Sequence, residues 1–524
     1  MGAASATRAG VAVLCALLVS GSHAVGGDVV VAGSGSHPRP PVVTKAQQAA
    51  HATSSRKAAA ASAAATPELL ALLASSAFRK LLSRCCPDAA KLDAGSLLDA
   101  LRAEARVAEI AHCLPASRSD KPGGLPGVDL PDLEKFGWVL NPWQASIVHA
   151  DLKEDDPRCE LGGDAADGAS ARVNIGPTIA ETAIFGCPDF ANPRRPTWDE
   201  AADRLIYAAH NLRRIDSGSF NAFGDLGVVF RTSAVASMVE IASADTGVWE
   251  ASCNDTIGPP KLNLNCSVPI TPVGTLDHFD HVMLFNLRQW AAAPVSPWRP
   301  WRKSPLPIRT PAEMAAALVA RSALGPAYPM APNVTFDVAE YWEANVVGNP
   351  RLSAIKFVLP LFGALFGTAV GTEMKAFAAR QSWPVLWTFG YPHMPNQTGT
   401  STGTGTGNTN CSGGAAASIQ GATHPLHQFP TPYPANARLL DPTINSSTLL
   451  LNASIPPGAV QSFDAVWTEV AEARSQGPIS EEQLRAYWAK LESVRLAPVS
   501  AIGCADADGC VGIDVASADC VCTR

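Results

Sequence analysis

Glu340-Tyr341-Trp342-Glu343-Ala344-Asn345-Val346-Val347 reads as a short strand with a carboxylate set into it. Successive strand side chains point to opposite faces, so Tyr341, Glu343 and Asn345 share one face while Trp342, Ala344 and Val346 share the other. The second face is apolar and the first carries polar groups. A carboxylate flanked on its own face by an aromatic ring and an amide is suited to hold a hydroxyl or to stabilise a developing positive charge. The same alternation also describes an edge strand whose polar face meets water.

The surrounding sequence supplies partners for such a strand. Phe223 to Arg231 is β-branched and aromatic, and Gly224 and Gly227 within it suggest close approach of another backbone. Ser237 to Ala242 is a further strand candidate ending in the turn Ser243-Ala244-Asp245-Thr246. Glu373 to Arg380 has helical spacing and leads into a strand at Val385 to Phe389. Strands, a few helices and long insertions over residues 173–392 predict an α+β domain.

The flanks divide by composition. Residues 1–24 have Arg8, an apolar run and a small-residue end, the pattern of a secretory signal peptide. Residues 25–66 are rich in Ala, Gly, Ser and Pro and read as a disordered leader. Residues 67–115 carry Leu69, Leu73 and Phe78, then Leu97, Leu98 and Leu101, at helical spacing, stapled through some of Cys85, Cys86 and Cys113. Residues 116–172 are a Gly/Pro-rich connector, 393–460 a low-complexity glycosylated linker, 461–498 a helical segment with Ser480 as N-cap, and 499–524 a Cys-rich tail.

Thirteen cysteines, of which Cys15 falls in the signal, leave an even number in an oxidising compartment, so disulfides are expected. Asn254, Asn265, Asn333, Asn396, Asn410, Asn445 and Asn452 head glycosylation sequons. The expectation is a secreted glycoprotein without a membrane span. A net charge of −7 argues against a nucleic-acid partner.

Asp277-His278-Phe279-Asp280-His281 is dense in imidazole and carboxylate, which makes His278, Asp280 and His281 an alternative metal set. It resembles the His-x-His-x-Asp-His of metallo-β-lactamase-like hydrolases, with Leu276 where the first histidine belongs. The segment runs into an apolar helix, Val282 to Leu287, for which Asp277 as N-cap is the simpler reading, so no metal is expected. Gly399 to Gly403 matches Gly-x-Ser-x-Gly in letters but lies in a Thr/Gly/Asn tract without apolar periodicity, not at a strand-to-helix elbow, and no P-loop is present.

Five stretches, in order, resemble an uncharacterised, mostly bacterial family of domains of unknown function. Asp203 to Leu212 is similar to that family's Arg-Pro-x-Tyr-Gly-Ala-Leu-Asn segment. Phe223 to Arg231 resembles its Phe-Gly strand, Asp245-Thr246 its following turn, and Gly274 to Phe279 its Gly-Thr-x-Asp-x-Phe helix start. Tyr341 to Gly348 resembles Tyr-Ile-Glu-Ala-Gln-Val-His-Gly, and Phe366 to Trp387 the closing helix and strand. Here Asn345 replaces a glutamine, Val347 a histidine and Leu205 a proline.

That family is distantly similar to ADP-ribosyltransferases, which implies a split-sheet domain binding NAD as substrate in a cleft between two small sheets. The resemblance then implies that Glu343 hydrogen-bonds the nicotinamide ribose and stabilises the oxocarbenium-like state, and that Asn345 orients substrate or acceptor. Arg204 would meet the pyrophosphate or a ribose, Tyr207 would pack on nicotinamide, and His210 would join them among the cofactor-binding residues. The acceptor is an unknown protein or small molecule, or water. A non-catalytic binding protein on the same fold stands as the alternative.

Overall fold

The computed structural model describes residues 43–85, 87–114, 116, 130–145, 181–188, 197–212, 217–218, 224–243, 246, 253–254, 265–266, 271–292, 319, 342–389, 438–444, 458–493, 513–514 and 519–520. The expected signal peptide, the first part of the leader, Tyr341 and most of the connector, linker and tail lie outside them, as do the sequons at Asn333, Asn396, Asn410, Asn445 and Asn452.

In chain order the elements are α1 (Lys45–Ala74), α2 (Ser76–Cys85), α3 (Ala94–Val107), β1 (Ile110–Leu114), α4 (Leu130–Phe136), α5 (Trp198–Ala202), β2 (Leu205–His210), β3 (Leu226–Phe230), β4 (Val239–Ala242) and β5 (Val273–Gly274). They continue with α6 (Asp280–Ala292), β6 (Glu343–Val347), β7 (Ile355–Pro360), α7 (Ala369–Arg380), β8 (Leu386–Thr388), β9 (Arg438–Leu440), α8 (Ala459–Gln476) and α9 (Glu481–Ser493). Seven strands form one antiparallel sheet in the order β5-β4-β6-β2-β1-β3-β7. The protein is α+β.

β6 sits between β4 and β2, with Glu343 opposite both Ala209 and Ala242, and Asn345 opposite Tyr207 and Glu240. The edge-strand reading of this stretch is therefore replaced by a central strand. Its five residues are buried because both faces of the sheet are covered. Ile206, Ala208, Val239, Ile241, Ala344 and Val346, with Ile110, Val228 and Phe230, form one face and belong to the main apolar core. Leu205, Ala242 and Val347 lie on the other face and meet Phe185 and Cys187 in a separate small cluster.

The two expected small sheets are joined. β1, a strand inside the segment expected to be helical, lies between β2 and β3 and bridges them. Its ladder to β3 runs over five pairs, but its ladder to β2 stops after Ile110–His210 and Ala111–Ala209. Beyond that point the ring of His112 reaches the Tyr207 carbonyl oxygen at 2.6 Å. The β1–β2 ladder thus lies at one end of β2, and further along the His112 side chain bridges the two strands. Gly227 in β3 permits the close approach expected of it, since a Cβ there would stand 3.1 Å from the Ser217 carbonyl and 3.3 Å from the Leu359 Cβ.

The leader expected to be disordered to Thr66 is overturned from Lys45 onward by the thirty-residue helix α1. Alanine-rich composition, read as low complexity, is also the best helix former. Gln47, Ala58, Ser62, Ala65, Leu69 and Leu73 make its buried stripe, and Thr44 and Gln47 form a reciprocal capping box. At the far end of the chain, α8 and α9 are packed onto the core rather than set apart. Phe366 packs against Trp467 in a tilted pair at 4.7 Å, and Trp488 meets Phe362 edge-on at 5.1 Å.

The two cysteines whose side chains are described, Cys113 and Cys187, are free thiols. Cys113, expected in a staple, is buried in β1 with its sulfur 3.3 Å from the Gly224 carbonyl oxygen, and Cys187 is a buried thiol. No helix among the described residues is long and apolar enough to cross a membrane.

Candidate functional site

The polar face of β6 gathers the chemistry. Strand alternation puts Glu343 and Asn345 on the same side as Tyr207 of β2 and Glu240 of β4, so four functional side chains stand on three neighbouring strands. Glu343 is 2 % exposed. Thr246 donates its backbone N–H to Glu343 Oε2 at 2.7 Å and its hydroxyl to Oε1 at 2.8 Å. Asn345 Nδ2 donates to the same Oε1 at 2.6 Å. A buried carboxylate needs such donors. Asn345 is fully buried, and its Oδ1 has no hydrogen-bond partner among the described residues.

A second acidic group organises the neighbouring side chains. Glu181 opens a five-residue π-helical turn, Glu181–Phe185, and is fully buried. Its Oε1 accepts from the Tyr207 hydroxyl at 2.8 Å and from Trp143 Nε1 at 3.2 Å. Its Oε2 accepts from Arg204 Nη1 at 3.0 Å, and Arg204 Nη2 donates to the Pro188 carbonyl oxygen. Burial pushes the Glu181 carboxyl above its ordinary range, against the opposing pull of Arg204 and the three donors. The Tyr207 hydroxyl is pushed well up by removal from water and then by the charges of Glu181 and Glu343. Burial, followed by the charge of Glu181, pushes the Cys187 thiol up.

Beside this cluster, the first turns of α1 close over the sheet edge. His51 Nδ1 lies 3.0 Å from Glu240 Oε1, Gln47 Nε2 donates to the carbonyls of Ala202 and Arg204, and the Thr44 hydroxyl donates to Asp203 Oδ1 at 2.5 Å. A cavity of about 20 Å³ remains between Gln47, His51, Phe185, Cys187, Asp203 and Glu240. It has room for about one water molecule.

The structure therefore brings together Glu343, Asn345, Arg204 and Tyr207, four of the five residues expected at an NAD site. His210 is on the opposite face of β2, against α3, with Nε2 2.8 Å from the Ala105 carbonyl oxygen. It does not reach the cluster. The alternative metal set is engaged elsewhere. Asp280 accepts from Arg102 Nη2 and the Thr66 hydroxyl, both at 2.6 Å, and His281 Nε2 stands 2.9 Å from the Val273 carbonyl oxygen. The cap expected from Asp277 is supplied instead by Ser62 of α1, which accepts the Asp280 N–H at 3.0 Å, while Asp277 pairs with Arg106. Among the described residues no group of three His, Cys, Asp or Glu side chains is placed to hold a metal ion.

Thr246, Glu181 and Glu240 are site residues that sequence reasoning did not single out, while Trp143, expected only to pack onto the following domain, bonds to Glu181. Only Thr246 had a local signal, as the last residue of a turn in the five-stretch resemblance. No protein-family model matches the chain, and no curated protein matches it in sequence.

Proposed function

We propose that Glu343 is the centre of NAD-dependent chemistry in a secreted glycoprotein. The bond between nicotinamide and ribose breaks, nicotinamide leaves with the bonding electrons, and an acceptor lone pair forms the new bond as its proton passes to solvent. The acceptor is a protein or small-molecule nucleophile in an ADP-ribosyl transfer, or water in NAD hydrolysis. The observation that carries this reading is the mounting of the Glu343 carboxylate, fixed by Thr246 and Asn345 on one face with Tyr207. A carboxylate whose orientation is set before reaction can oppose the positive charge that develops on the ribose without reorganising. The fold expectation draws support from the β1–β2 ladder, which pairs only at Ile110–His210 and Ala111–Ala209 and so partly divides the sheet between these strands.

A second reading has its own observation. Arg204 is 1 % exposed and bonded to Glu181, so in this conformation it offers no donor pair to a pyrophosphate, as in a non-catalytic binding protein that keeps the fold. The two readings separate in one assay. Nicotinamide released from NAD by the purified chain is compared with that released by Glu343→Gln, which keeps the shape and removes the charge. Loss of one preorganised electrostatic group lowers the rate roughly 10²-fold or more. Equal release by both, or none from either, would contradict a reaction at Glu343.

A further inference from the structure

The side chains that would meet NAD are tied down by one short segment. Arg204 and Tyr207 both donate to Glu181, and Arg204 donates again to Pro188 seven residues further along. Between those two anchors, Phe185 and Cys187 are buried against Leu205, Ala242 and Val347 on the face that carries Glu343. Gly186, at φ +72°, makes the bend that returns the chain from the π-helical turn to Pro188. A single peptide thus covers the part of this face beside Tyr207 and occupies Arg204.

We propose that Glu181–Pro188 is an internal plug, an autoinhibitory contact that holds Arg204 and Tyr207 away from a phosphate-bearing ligand until it lifts. This inference rests on the reading of Glu343 as an NAD centre. Three features make the contact releasable. The Glu181 carboxylate carries a burial penalty that Arg204 does not fully offset, so it gains hydration on leaving. A pyrophosphate offers the vacated guanidinium an anion with matching geometry, so the charge on Arg204 is not stranded when Glu181 goes. The outer side of the plug is incompletely packed, with the cavity beside Phe185, Cys187 and Glu240 separating it from α1. Lifting the plug exchanges one ion pair for another and uncovers one small apolar cluster, Phe185 and Cys187 on the plug with Leu205, Ala242 and Val347 on the sheet.

Cys187 reports the motion, because it is a buried thiol within the plug. The test is the rate at which N-ethylmaleimide modifies Cys187 in the native full chain, read at the level of its peptide by mass spectrometry. It is run on the wild type, Glu181→Gln and Tyr207→Phe, with and without NAD, after far-UV circular dichroism has shown each to be folded. The plug predicts modification roughly tenfold faster in Glu181→Gln, and faster in the wild type when NAD is added. Tyr207→Phe removes one hydroxyl donor, predicts a smaller rise, and carries the test if the glutamine variant does not fold. A Cys187 rate unchanged by both substitutions would overturn the plug. Faster modification in the variants with no effect of NAD and no nicotinamide release would keep the plug and remove the NAD reading. NAD binding to the wild type with Cys187 still protected would keep the NAD reading and remove the plug.

Discussion

Thr246 donates twice to Glu343, through its backbone N–H at 2.7 Å and its hydroxyl at 2.8 Å, across 97 positions of sequence. The hydroxyl is the removable half. Thr246→Val preserves shape and the backbone donor while removing the hydroxyl that donates to Glu343 Oε1. The expected loss of stability is about 1–3 kcal/mol, measured by urea denaturation, because a buried charged acceptor gives up a hydrogen bond. Nicotinamide release falls in the same variant, since the carboxylate is less firmly aimed. An unchanged denaturation midpoint would show that the hydroxyl does not support Glu343.

Helix α1 is part of the domain and not a dispensable leader. Gln47 and His51 hold the edge of the site, while Thr66 and Ser62 bond to Asp280 at the start of α6. A chain that begins at Pro40 should melt cooperatively. One that begins at Pro67 exposes the face of α6 that α1 covers and strips Asp280 of two partners, so it should melt at least several degrees lower or not fold. Equal melting temperatures for the two would contradict the packing described for α1.

Acid should unfold the protein through Glu109. Its carboxylate accepts from Arg438 at 2.6 and 2.8 Å and from Asn211 at 2.9 Å, tying β9 to the end of α3. Burial raises this carboxyl, but the Arg438 charge, the hydrogen bonds and Lys356 together hold it below the ordinary 4.5. A carboxyl lowered on folding contributes stability that is present above its unfolded value and is lost as pH falls through its folded value. Stability should therefore decline below about pH 4.5. In Glu109→Gln the neutral-pH stability drops and the decline on acidification is shallower, as denaturation midpoints from pH 7 to pH 3 would show. Parallel pH curves for the two proteins would contradict the assignment.

Much of the fold was legible because it is written locally. Alternation in Glu343 to Val347 marked β6 and its polar face, and the β-branched run in β3 marked a buried strand. The Ser480 cap of α9 is present, with the Gln483 N–H bonded to its hydroxyl at 3.2 Å. What was not legible depends on partners distant in sequence. β1 has only five residues and follows a strongly helical run, so its place between β2 and β3 comes from tertiary pairing. The alanine stripe of α1 is apolar enough to bury but too small to stand out from a low-complexity tract. At the site, Glu343, Asn345 and Tyr207 share a face by strand period alone. Nothing near Glu181 in the chain announces that it would bind Arg204 and Tyr207, because their meeting is a property of the folded sheet and not of either segment. His210 was misplaced by the same period, three residues from Tyr207 and so on the other face.

The most direct measurement is nicotinamide release from NAD by Glu181→Gln beside the double variant Glu181→Gln/Glu343→Gln, each confirmed as folded. The account predicts release by the first at a rate above the wild type, and loss of that release in the second. Equal release from both, or none from a folded Glu181→Gln, would contradict the claim that this face of the sheet is an NAD site centred on Glu343.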